Sequence, residues 1–159
     1  MTVDMNVTLD VLHDAGGREP WDFLCFEHEG RFEVTARGPG GVERKGLGEG
    51  WFDALRELRL VLESEGLRPL CVGSMVNAHQ SAMLAIDGYG SVAYLLRRKR
   101  SPSVREVAWI FDPAGADDTG TVAEQDAFYE IWIAEGPRYG PGRMVAALVR
   151  EYWHRLRYR

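Results

Sequence analysis

Between Val3 and Val11 every second residue is apolar: Val3, Met5, Val7, Leu9 and Val11 alternate with Asp4, Asn6, Thr8 and Asp10. A repeat of two is the repeat of a β-strand, whose successive side chains point to opposite faces, so the segment predicts a strand with one dry and one wet face. A chain that begins this way needs a sheet, with a second layer to cover the dry face. The next segments continue it. After the turn-rich DAGGREP come WDFLCFEH and RFEVTAR, separated only by Glu29-Gly30, which reads as two antiparallel strands joined by a tight hairpin. The strand over 3–11 is then an outer strand of the sheet, open to pairing across a homodimer or guarded against it by its acidic face; monomer and homodimer both remain open.

The glycine-rich GPGGVERKGLGEG, residues 38–50, predicts a loop. It leads into WFDALRELRLVLESEG, where Trp51, Leu55, Leu58 and Leu62 keep helical spacing and Gly66 is the stop. PLCVGSMV then predicts a strand, and SVAYLLRR another. RRKRSPS reads as a hairpin tip and REVAWIFDP as the return strand, ended by Pro113. Thr121 and Glu124 form a capping-box signature, followed by Phe128, Ile131 and Trp132 on one helical face up to Gly136-Pro137. At the C-terminus, Val145, Val149, Trp153 and Leu156 line one side of a further helix, with Arg143, Arg150, His154 and Arg157 as a basic stripe. Three strands, a helix, three strands and two helices predict one α+β domain over residues 1–159. Its sheet is antiparallel-rich with about six strands, and three helices pack mainly on one face.

The same residues limit the chemistry. A formal charge of −5 disfavours general affinity for nucleic acid, which requires a basic surface. No apolar run is long enough to span a bilayer, and the first ten residues lack the basic and apolar blocks of a signal peptide, so a cytoplasmic protein that does not engage membranes is expected. Cys25 and Cys71 sit in apolar runs and read as buried thiols; the spacing of Cys and His fits no zinc finger. Lys45 is followed by Gly46, and GLGEG does not have the spacing of a dinucleotide fingerprint, so the glycine loop is not a phosphate cradle. Ser81, His79 and Asp87 offer the residue types of a serine triad, yet there is no nucleophile elbow, and residues two apart on extended chain face opposite ways. His13, His28 and His79 would need to converge in space to bind a metal. The expectation is no catalytic residue, no metal and no cofactor.

Two candidate sites stand out. One is the basic run Arg97, Arg98, Lys99 and Arg100, suited to docking on an acidic protein partner. The other is the polar cluster Asn77, His79, Gln80 and Ser81 in CVGSMVNAHQSAMLAIDGYG: its side chains either satisfy their own turn, or Asn77, His79 and Ser81 line the pocket of a small-ligand-binding or enzymatic domain.

CVGSMVNAHQSAM, GYGSVAYLL and TVAEQDAFYEIW together resemble a family of small uncharacterised bacterial proteins. Its pattern runs Cys-Asn-Gly-Ala-Arg, Tyr-Pro-Ser-Gly-Met, Gly-x-Gly, Ala-Tyr and Thr-Val-Glu-Glu-Gln-x-x-Phe-Tyr-x-x-Trp. Cys71, Gly73, Ser81, Met83, Gly88, Gly90, Ala93 and Tyr94 match, as do Thr121, Val122, Glu124, Gln125, Phe128, Tyr129 and Trp132. Met75, His79, Gln80 and Ala82 stand where the pattern has Arg, Tyr, Pro and Gly. The resemblance implies a non-enzymatic binding protein of immunity type, which blocks a toxin-like protein partner by direct contact.

Overall fold

A computed structural model of the chain describes residues 4–81 and 90–136. The C-terminal helix expected over 143–157 lies outside the described residues, as do Met83, Asp87 and Gly88 of the polar stretch. The fold is α+β, but in place of the expected single sheet of about six strands the described residues form two sheets with eight strands. The described residues hold two of the three expected helices. Strands β1 (Met5–His13), β2 (Arg18–His28), β3 (Arg31–Arg37) and β4 (Glu43–Gly48) precede helix α1 (Trp51–Ser64) and β5 (Leu67–Pro69). Then come β6 (Ala78–His79), β7 (Val92–Leu95), β8 (Val107–Trp109) and helix α2 (Val122–Glu135). The larger sheet is antiparallel with order β4-β3-β2-β1-β5, and the smaller has order β6-β7-β8. No described helix is long and apolar enough to cross a membrane.

The alternation in β1 does what its period requires. Leu9 and Val11 are buried, while Asn6, Thr8 and Asp10 face outward, Thr8 donating to Asp22 of β2 at 2.7 Å. The Glu29-Gly30 hairpin is present, both residues at positive φ (52° and 76°), as a two-residue turn between twisted strands demands. Two expectations about the sheet need correction. First, β1 is not its outermost strand: β5 pairs with Val11–His13 on the side away from β2, although Met5–Leu9 have a strand partner only in β2 among the described residues.

Second, the glycine-rich segment is not a loop throughout. Its second half is β4, paired with β3 from Phe32↔Gly48 to Arg37↔Glu43. The glycines are there because α1 lies directly on this strand. A Cβ on Gly46 would fall within 2.8 Å of Leu58 Cα and nearer still to Ala54 O, and one on Gly48 within 2.7 Å of Asp53 Cβ. Glycine composition here marks close approach of two backbones rather than an absence of structure.

Helix α1 buries Trp51, Phe52, Ala54, Leu55, Leu58 and Leu62 against the sheet, with Trp51 edge-on to Phe32 at 4.7 Å. One apolar cluster runs from Leu9, Phe23 and Val34 through α1 to Ala78, Ala93, Ile110 and Phe111, so both sheets share it. Gly66 ends the helix in the left-handed region, φ 72°.

Candidate functional site

The arginine that apolar patterning passed over holds the second half of the structure in place. Arg59 is fully buried on α1. It donates to Gly73 O (2.8 Å), Gln125 Oε1 (2.9 Å) and Gly120 O (3.0 Å), and Glu63 lies 3.6 Å away. Gln125, itself buried on α2, donates in turn to Gly73 O (3.1 Å) and Met75 O (2.7 Å). Burial pulls Arg59 below the ordinary arginine range, and Glu63 opposes the shift. The pattern explains why PLCVGSMV is not the strand expected. β5 stops at Pro69, Val72–Ser74 form a short 3-10 turn, and only single bridges follow, Cys71↔Pro113 and Met75↔Thr119. Side chains of two helices take the carbonyls that a neighbouring strand would otherwise have taken. Cys71 is buried beside this framework, 3.4 Å from Ser74 Oγ, whereas Cys25 is buried on β2 between Met5 and Val34, where burial pushes its pKa up to about 12.

The same network fixes the start of α2. Thr121 and Glu124 form the reciprocal capping box, with Thr121 N donating to Glu124 at 2.7 Å and Glu124 N to Thr121 Oγ1 at 3.2 Å. The Glu63 carboxylate accepts Val122 N at 3.0 Å. From there α2 turns Tyr129 and Trp132 inward, whereas Ile131, expected on the inner face beside Phe128 and Trp132, is half exposed (50%). The buried Gln125 and the cap set the rotation of the helix, and they put Tyr129 rather than Ile131 against the smaller sheet.

His79 lies on β6, paired with Tyr94 of β7, and its ring stacks on Tyr129 at 3.8 Å with an 11° interplanar angle. Burial lowers its pKa, which favours the neutral ring. Beside it opens a cleft of about 200 Å³, lined by Phe52, Asp53, Arg56, Ala78, His79, Gln80, Gln125, Asp126 and Tyr129. Of the polar cluster, His79 and Gln80 therefore share a cavity. Asn77 does not: its amide donates to Leu96 O at 3.1 Å and secures the turn. Ser81 is not among the lining residues and has its own partner. The three histidines do not converge. His13 meets Glu19 (3.1 Å), His28 lies by Glu29 (3.8 Å), and His79 packs on Tyr129.

Sequence reasoning missed the opposite wall. Arg56 of α1 and Asp126 of α2 form a two-pronged ion pair, 2.8 and 2.7 Å, across 70 residues of chain. Each holds the other in its charged form, Arg56 raised and Asp126 lowered by their mutual hydrogen bond. Asp53 in the first turn of α1 is exposed as a residue, yet the cleft wall shields its carboxyl and raises its pKa, with Glu49 adding to the shift. Arg56 and Asp126 are separated too far in sequence to leave a local signal. Arg59 did leave one: it is four residues from Leu55 and three from Leu62, inside the apolar stripe of its helix.

The basic run is a hairpin tip, as expected, between β7 and β8. It is better organised than a solvated tip requires. Trp132 Nε1 donates to both Arg97 O and Arg100 O at 3.0 Å, Arg97 pairs with Glu106 at 2.7 Å, and Arg98 pairs with Glu135 at the end of α2. Lys99 sits at the apex with φ 61°; it and Arg100 have no ion pair among the described residues. Trp132 also stacks on Tyr129, 5.9 Å and 15°. A continuous aromatic ladder, His79–Tyr129–Trp132, thus joins the cleft to the basic tip. The two candidate sites, far apart in sequence, lie along one side of α2. No protein-family model and no curated protein matches the chain.

Proposed function

We propose that this chain is a non-enzymatic binding protein that engages a protein partner along α2, from the cleft at His79 to the basic tip at Arg97–Arg100. The observation that carries the reading is the aromatic ladder, because it makes one rigid face of what the sequence presents as two unrelated features. Preorganisation matters for affinity: a tip whose carbonyls are already held by Trp132 loses less freedom on binding. Lys99 and Arg100 supply the uncommitted positive charge, and an acidic patch is its complement. The resemblance to immunity-type proteins adds the specific form of the activity, that covering the partner blocks a toxin-like enzyme in the cytoplasm.

The test is binding of the isolated partner to wild type and to a variant with Lys99 and Arg100 both replaced by Glu, with salt varied. The expected result is a loss of affinity of at least tenfold, largest at low ionic strength. Equal affinity of the two proteins would overturn the assignment of the tip. A partner whose activity is unaffected by saturating wild-type protein would overturn the blocking role.

The cavity itself favours a second reading, a site for a small ligand beside His79 and Gln80. Asn77 and Ser81 do not belong to that site.

A further inference from the structure

The two ends of the face carry opposite charge. At the tip it is positive. In the cleft two carboxylates, Asp53 and Asp126, face one guanidinium, Arg56, and that guanidinium is taken up on both prongs by Asp126. The Asp53 carboxylate has no hydrogen-bond donor among the described residues; Glu49 and Glu57 add negative potential around it, and Arg56 partly opposes them. His79 also lines the cleft, and in its neutral form it does not offset them. The non-acidic walls are the aromatic side chains Phe52, His79 and Tyr129 and the amides of Gln80 and Gln125. Gln125 is committed to Arg59 and to backbone carbonyls, whereas the Gln80 amide makes no hydrogen bond among the described residues, at its buried Nε2 or at its Oε1.

We propose that the cleft receives the guanidinium of an arginine side chain carried by the protein partner, with the Asp53 carboxylate as its counter-ion, Gln80 Oε1 as a second acceptor and the aromatic walls around its plane. This rests on the binding-face reading and deepens it. The fit is one of size and of kind. About 200 Å³ is the volume of roughly seven liquid waters, enough for a planar cation and the methylenes that carry it. A guanidinium is weakly hydrated, stacks on aromatic surfaces and offers several donors in one plane; an ammonium is a strongly hydrated point charge and suits such walls less well. Opposite charges at the two ends of the face also set the partner's orientation. Its acidic patch meets Lys99 and Arg100, its arginine enters beside Asp53, and the reversed docking puts like charges together at both ends.

The experiment is a titration of the full chain with N-acetyl-arginine methylamide, followed by two-dimensional NMR at Asp53, His79, Gln80 and Tyr129. Its neutral isostere, the citrulline counterpart, and the lysine counterpart are titrated in parallel. Expected are saturable shifts at these residues with the arginine probe in the millimolar range, at least tenfold weaker binding of the citrulline probe and weaker binding of the lysine probe. Asp53→Asn, at an exposed position, should fold normally and bind the arginine probe at least tenfold more weakly; it should also weaken the isolated partner. Equal response to citrulline, an unchanged Asp53→Asn titration or no saturable shift would overturn the proposal. A failed titration together with partner binding that still depends on Lys99 and Arg100 removes the arginine site and leaves the face standing. A successful titration with partner binding indifferent to the tip and to Asp53 removes the face and assigns the cleft to free arginine-like ligands, against the proposal.

Discussion

Replacing Gly46 by alanine adds one methyl group and should damage the fold more than most substitutions of that size. The new Cβ would lie 2.8 Å from Leu58 Cα and closer to Ala54 O, and ordinary contact begins at 3.4 Å. The helix must therefore lift by at least 0.6 Å at Leu58, and by more at Ala54. The atoms in the way are helix backbone, which cannot step aside by changing rotamer, and Leu55, Leu58 and Leu62 on that helix are packed to zero or one per cent exposure. Overpacking costs about 1–3 kcal/mol in general, and the upper end, ~3 kcal/mol, applies where backbone must move. For a chain of this size each kcal/mol lowers Tm by roughly 2–4 °C, so Gly46→Ala should lower it by about 6–12 °C. Gly40→Ala is the control. Gly40 has φ 73° with nothing within 4 Å of the added methyl, so it loses only the left-handed backbone preference, about 1 kcal/mol and roughly 2–4 °C. Thermal and urea unfolding, followed by far-UV circular dichroism, measure both. A Gly46→Ala protein as stable as wild type, or more stable than Gly40→Ala, would refute the reasoning that α1 rests on β4 backbone.

Arg59→Met should destabilise by about 3–5 kcal/mol in urea unfolding, because Gly120 O and Gln125 Oε1 lose a buried donor; a change below 1 kcal/mol would mean the network is dispensable. Burial lowers the pKa of His79, so the unfolded chain binds the proton more readily. The stability that His79 contributes is complete above its unfolded value, near 6.5, and is lost as pH falls below it toward the folded value. Wild type should thus lose more stability than His79→Phe between pH 7.5 and 5.5, and parallel losses would contradict this. Trp132→Phe removes the donor to two tip carbonyls while keeping the stack on Tyr129, and limited trypsin digestion at Arg97–Arg100 should become several-fold faster; an unchanged rate would show that the tip is held by its ion pairs alone. Thr121→Ala should cost about 1 kcal/mol, the usual value of an N-cap, in the same unfolding assay.

What the sequence made legible were the features written in local periodicity and local chemistry. The alternation of β1, the Glu29-Gly30 turn, the Trp51–Leu62 stripe and the Thr121–Glu124 cap each fall within one turn, one strand or one helix, and each is present. Glycine was the misleading signal, since the residue that suits a loop also suits a strand pressed against a helix, and only the partner distinguishes them. The site was legible in parts. His79 and the basic tip stood out by residue type, but their union through Tyr129 and Trp132 depends on how α2 is rotated. Gln125 and Arg59 set that rotation from 66 residues apart. Side-chain networks that span such distances leave no repeat to read.

The order of pairing in the larger sheet has a consequence for how the chain assembles as it is made. β1 to β4 form a meander in which each strand joins the one just synthesised, so these contacts close short loops and form early. β5 is different: it returns to the far side of β1, joining Leu12 to Arg68, 56 positions on, and only after α1 has crossed the sheet. Until then the meander exposes Leu9, Val11, Phe23 and Val34 on a face with nothing over it, and the end of β1 has unpaired backbone groups. A nascent chain that has not passed Trp51 is therefore the state most exposed to aggregation, and the helix that seals the core is the same one that carries Arg56 and Arg59 to the second half of the molecule.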